Sequence, residues 1–182
     1  MPPSPRPMRE ARRLLDEEEV KAPPVPVDKI AKKLALVVEE SLPDDISGML
    51  VPLRPPVRNR SWAIVVNRKH AAVRKHFTIA HELGHLLMHH FTKPHADKAF
   101  KVRFRDALSS DGSVQEEIEA NQFAAELLMP EKLLLRRLEE VGLDYALDSE
   151  EQQRKLGAIA SAFGVSQQAL QVRLANLRNA FF

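Results

Sequence analysis

The stretch Phe77-Thr78-Ile79-Ala80-His81-Glu82-Leu83-Gly84-His85-Leu86-Leu87 sets three polar residues, His81, Glu82 and His85, inside an otherwise apolar run. On a helix, the four-residue spacing puts His81 and His85 on one face, so two imidazole nitrogens reach one metal ion while Glu82 projects beside it. Apolar Phe77, Ile79, Leu83, Leu86 and Leu87 around the triplet are what a helix buried on most sides shows. A catalytic zinc needs three protein ligands and an open position for water, with a carboxylate nearby to take the proton that water loses. His81 and His85 are therefore candidate ligands and Glu82 the candidate catalytic base, and a third ligand must come from elsewhere. Two histidines one turn apart also occur as packing or surface residues, so the surrounding sequence has to support the metal reading.

Composition narrows the chemistry. The chain has 182 residues, 44% of them hydrophobic, enough for one core or a compact domain with a small appendage. It has no cysteine, which excludes disulfides, a thiolate nucleophile and a cysteine-ligated zinc finger. Any zinc must be held by His, Asp or Glu. Basic and acidic side chains number 27 and 25, a formal charge of +2, too balanced to announce a nucleic-acid partner. Met1 to Leu15 is rich in Pro and Arg and has no apolar stretch resembling a signal peptide. No run approaches the roughly eighteen apolar residues of a membrane span, so a cytoplasmic location without membrane contact is expected.

Prolines and periodicity divide the chain. Pro2, Pro3, Pro5 and Pro7 mark residues 1 to 7 as a disordered arm, followed by a short helix from about Met8 to Val20 that Pro23, Pro24 and Pro26 end. Asp28 is the expected N-cap of a helix through Ile30, Leu34 and Leu36, after which Val37 and Val38 read as extended. Ile46 to Leu53 and Ser61 to Val66 read as strands, with Pro55 and Pro56 in their connection. The helix bearing His81 runs to about His90, and Phe91 to Ser113 reads as a long loop without period. Helices follow at about Val114 to Met129, Pro130 to Val141, Ser149 to Phe163 and Ser166 to Ala180.

The third ligand is sought on the helix that begins near Val114, which offers Glu116, Glu117 and Glu119. Glu117 shares a helical stripe with Ala120, Asn121, Ala124 and Leu128, whereas Glu119 shares one with Gln122, Phe123 and Glu126. The first stripe looks more buried, and its alanines allow close approach to the helix of His81. Asn121, one turn after Glu117, is placed to hydrogen-bond a ligand imidazole and orient it. Glu117 is favoured on these grounds and Glu119 stays open as the alternative. Acids in a first turn also complement the helix dipole, which accounts for Glu116. His89 drifts off the metal-facing stripe and is read as packing or hydrogen-bonding. His89, His95 and Tyr145 are undivided candidates for stabilising an oxyanion.

At the C-terminal end, Ile159 to Leu174 fits two helices joined at Gly164, a helix-turn-helix pattern in which Gln167, Gln168, Gln171 and Arg173 would face DNA. Any tight helical pair closing a small core wants the same Ala, Gly and Leu positions. Packing is the favoured account, and DNA is the secondary partner.

Two long motifs, Arg74 to His89 and Glu117 to Pro130, closely resemble the ImmA/IrrE family of metallopeptidases. Looser similarity runs from about Val27 to Leu177 and takes in Ile46-Ser47-Gly48, Val66-Asn67 and Phe163-Gly164-Val165-Ser166. The resemblance implies an α+β fold: a mainly helical, zincin-like core with a small, about three-stranded antiparallel sheet beside the helix of His81, and a C-terminal helical pair. It implies zinc on His81, His85 and, by the Glu117-x-x-x-Asn121 arrangement, Glu117, with Glu82 catalytic. It also implies an endopeptidase whose substrate is a helix-turn-helix transcriptional repressor cut once. Many members carry an N-terminal helix-turn-helix domain where this chain has its proline-rich arm. The expected division is 1–26 for arm and short helix, 27–141 for the metallopeptidase domain and 142–182 for the helical pair. An extended substrate is expected to add to a strand edge such as Ala63 to Asn67.

Overall fold

The computed structural model describes residues 5–89, 95–98, 112–142 and 150–181. At its centre, helix α3 (Ala72–Met88) lies between a sheet and a second long helix, α4 (Gly112–Leu128). The sheet comprises β1 (Leu36–Glu40), β2 (Ile46–Val57), β3 (Arg60–Asn67) and β4 (His95–Lys98), in the order β1-β3-β2-β4. It is mixed: β1 runs parallel to β3, while β2 is antiparallel to both β3 and β4.

This corrects the expected three-stranded antiparallel sheet in two respects. The hairpin of β2 and β3 folds back so that β3, not β2, lies beside β1, and β3 there runs parallel to β1 while its hairpin partner β2 runs the other way. The fourth strand comes from the stretch read as loop, because its four residues take their conformation from pairing with β2 rather than from a period of their own. β3 is thus an interior strand with both edges paired, so Ala63 to Asn67 has no free edge for a substrate.

The hairpin turn also differs from expectation. β2 continues through Pro55 and Pro56 to Val57, and the reversal occurs at Arg58 and Asn59, whose φ angles of 50° and 59° give a two-residue turn matching strand twist. Proline has no N–H for the ladder, and the register shifts between Pro52 and Val57 where the prolines cluster. Further in, Leu50 pairs with Ile64, and both are fully buried on the face that α3 covers with Ile79 and Leu83.

The helical layer builds outward from α4. α1 (Pro5–Glu17) packs against α4 and buries Ala11, Leu14 and Leu15. It starts earlier than Met8, since Pro5 and Pro7 occupy its first turn, where a missing N–H costs nothing. α2 (Val27–Leu34) is preceded by Pro26 without a side-chain cap, and Asp28 sits inside the first turn rather than at the N-cap. α5 (Glu131–Val141) ends in Gly142, a left-handed residue that bonds back to Leu138 and Glu139. α6 (Glu150–Phe163) and α7 (Gln167–Phe181) meet at Gly164, φ 67°, with Ser166 Oγ accepting from the Ala169 N–H. Ile159, Phe163, Val165, Leu170 and Leu177 join the same buried cluster as the rest of the chain. Among the described residues, no helix is long and apolar enough to cross a membrane.

Candidate metal centre

α3 turns His81 and His85 toward α4, where Glu117 meets them. The Nε2 atoms of the two histidines are 3.0 Å apart, and the Glu117 carboxylate lies 3.3 Å from His81 Nε2 and 3.0 Å from His85 Nε2. One ligand atom from each residue falls within 4.8 Å of the others. Tetrahedral zinc, about 2.0–2.1 Å from each ligand, sets its ligand atoms about 3.3 Å apart, so these separations suit such an ion. The donor set, two imidazoles and a carboxylate, fits as well. His81 and His85 are buried, whereas the Glu117 side chain is 35% exposed and forms the open side through which a substrate would enter. Glu82 is fully buried on the same helix, adjacent to His81.

Small residues bring the three elements this close. A Cβ on Gly84 would lie 3.0 Å from Phe123 Cδ1 and 3.3 Å from Ala120 Cα, so glycine there lets α3 and α4 cross closely without displacing Phe123. On the sheet side, a Cβ on Gly48 would lie 2.4 Å from Thr78 Cγ2 and 3.3 Å from Glu82 Oε1, which places β2 directly against the Glu82 carboxylate. Arg74 Nη2 donates to Ser47 Oγ at 2.9 Å and pins the start of β2 to α3.

Asn121 Oδ1 lies 3.0 Å from His81 Nδ1; an amide oxygen only accepts, so the bond has Nδ1 donate and leaves the lone pair on Nε2. Within α4, Ala120, Ala124 and Leu128 of the Glu117 stripe are buried, but so are Phe123 and Glu126 of the Glu119 stripe, and burial does not separate the two faces as expected. Glu119 is absent from the ligand group and instead lies 3.2 Å from His89 Nε2. A hydrogen bond from Gln115, then one from His89, hold the Glu119 carboxyl below the usual carboxylate range. His89 Nδ1 in turn lies 3.0 Å from His85 Nδ1, and the four-residue step from His85 is the signal of this contact in the sequence.

Other expected participants stand apart. Arg173, read as a DNA-facing residue, is buried and paired with Glu126, which also bonds Arg12 at 2.8 Å. Tyr145 lies outside the described residues, and so do the side chain of His95 and most of the stretch between Phe91 and Ser113. A cavity of about 340 Å³ lies on the opposite stripe of α3, at Ala72, Lys75, His76 and Ile79. Two of its ion pairs are His76 with Asp28 at 3.2 Å and Lys75 with Glu39 at 2.9 Å, and it forms no part of the metal-type cluster.

No curated protein matches the chain. Among solved structures, one described as a Mycobacterium tuberculosis transcriptional regulator is similar, with a TM-score of 0.61 at 17% identity over 95% of this chain and 47% of that one. The chain spans about half the length of that structure, and a likeness at this identity concerns the fold alone. The family described as Peptidase_M78, IrrE N-terminal-like domain, matches residues 35–175, which take in the whole sheet, both helices of the metal-type cluster and most of the C-terminal pair. With more than half its length matched, the chain belongs to the Peptidase_M78, IrrE N-terminal-like family.

Proposed function

We propose that this protein is a zinc-dependent regulatory endopeptidase of the cytoplasm that cuts a helix-turn-helix transcriptional repressor at a single site. The observation that carries the reading is the convergence of His81, His85 and Glu117 on one point, with Glu82 buried beside them on α3. Zinc held by these three residues would lower the pKa of water to roughly 7 and polarise a carbonyl oxygen. Glu82 then accepts the proton lost by the attacking water and delivers it to the departing amine nitrogen. One carboxylate can serve both transfers, since the proton it takes from water is the one that the leaving amine needs. Asn121 keeps His81 in the tautomer whose Nε2 is unprotonated.

An extended segment is the substrate form this site suits. Among the described residues, β4 pairs only with β2, and Gly48 of β2 faces Glu82. A peptide adding to the outer edge of β4 would gain main-chain hydrogen bonds close to the catalytic carboxylate. The family resemblance supports a repressor as the target. The fold shared with a structure called a transcriptional regulator is in keeping with a regulatory role. The burial of Arg173 removes one of the four residues on which DNA contact was argued.

Co-expression with the repressor encoded nearest its gene tests the reading. Wild-type protein should yield two discrete fragments, and Glu82→Gln should yield none while retaining zinc. Degradation of many unrelated folded proteins, or an intact repressor despite full zinc occupancy, would contradict it.

A further inference from the structure

His81 and His85 are oriented by different kinds of partner. His81 Nδ1 ends on the neutral amide of Asn121. His85 Nδ1 leads instead to His89 Nδ1 at 3.0 Å, and His89 Nε2 leads to Glu119 Oε2 at 3.2 Å. This chain of contacts runs through the interior, the side chains of His89 and Glu119 being 5% and 16% exposed. Its middle and its outer end are anchored. His89 sits at the C-cap of α3, where its backbone N–H also bonds His85 O, and Gln115 Nε2 holds Glu119 Oε1 at 2.9 Å.

With His89 neutral, one placement of protons satisfies the chain. The Glu119 carboxylate accepts from His89 Nε2–H, so His89 Nδ1 is an acceptor and must receive the proton of His85 Nδ1. The lone pair of His85 is then on Nε2, the atom that faces His81 and Glu117. A carboxylate acting through a histidine also makes the ligand imidazole more basic than an amide partner does.

We propose that Glu119 and His89 are positioning residues which, acting as one relay, fix His85 as an Nε2 ligand and tighten zinc binding at the centre proposed above, on which this inference rests. The test is zinc affinity of the full chain, by competition with a chromophoric chelator, together with nitrogen-15 spectra of the histidines in zinc-loaded wild-type protein. His85 should carry its proton on Nδ1. Glu119→Ala and His89→Leu should each weaken zinc about ten- to hundredfold, and the double variant no more than the weaker-binding single one, since both break the same chain. Glu119→Gln, whose amide oxygen still accepts from His89, should recover part of the loss. His81 spectra should not change in any of these variants. An unprotonated Nδ1 on His85 in the wild type, wild-type affinity in both single variants, or losses that add would overturn the relay while leaving the metal centre standing. A wild-type chain that binds no zinc would overturn both.

Discussion

Glu82 and Glu117 stand on different helices beside the same two histidines, and the proposed function gives them separate duties. Glu117 reaches the two Nε2 atoms from α4, whereas Glu82 shares α3 with the histidines and is enclosed against Gly48. Glu82→Gln, nearly isosteric, should leave folding and zinc content intact and lower peptide hydrolysis by about a hundredfold or more, measured on a cleaved repressor segment. That His81 and His85 share a face was legible from their four-residue step on a helix, and that Glu117 could approach them from the small alanines on its stripe. The bond from His89 to Glu119 joins two helices, and no period within either one encodes it. His70 offers a test of a different kind, since burial, then nearby Arg74, lower its pKa from 6.5. A depressed folded pKa means that the unfolded chain takes up the proton first as pH falls. The stabilising contribution is present above about pH 6.5 and is lost as pH drops through the folded value. Urea midpoints between about pH 7 and pH 5 should therefore fall further in the wild type than in His70→Gln.

Contacts between elements decide whether the ligands meet. Gly48→Ala would drive a Cβ to 2.4 Å from Thr78 Cγ2, and the Thr78 hydroxyl is committed to Arg74 O at 3.0 Å, so the methyl cannot rotate away without breaking that bond. A cost of about 1–3 kcal/mol in denaturant unfolding is expected, and Thr78→Ser in the same chain should recover most of it by removing the methyl. Failure of that rescue would mean that β2 and α3 meet differently. Gly84→Ala would press on Ala120 and Phe123, at a similar cost of about 1–3 kcal/mol, and should weaken zinc as well, because α4 carries Glu117 only one turn before Ala120. The helices could be read from their apolar spacing, with ends displaced by a few residues. The sheet could be read only in part. β4 owes its existence to pairing with β2, and the prolines that looked like a connection lie within β2 because Arg58 and Asn59 make the turn.

Across the whole molecule, Glu126 of α4 joins the two ends of the chain, binding Arg12 of α1 and Arg173 of α7. With Glu126 1% and Arg173 6% exposed, Arg173→Met would leave a buried carboxylate with only the half-exposed Arg12. Destabilisation of about 3–5 kcal/mol is expected in urea unfolding at fixed zinc. The C-terminal pair resembled a DNA-reading unit because a helical turn that closes a core and one that enters a groove want the same small and apolar positions; only the tertiary partner of Arg173 separates them. A metal held by His81, His85 and Glu117 would likewise tie the two halves of the core together, linking α3 to α4, so chelation should lower the thermal midpoint. The most direct measurement is zinc per chain in purified wild type, Glu82→Gln and Glu117→Ala. The account predicts one zinc in the first two and loss of zinc in the third. Full zinc in Glu117→Ala, or none in the wild type, would contradict it.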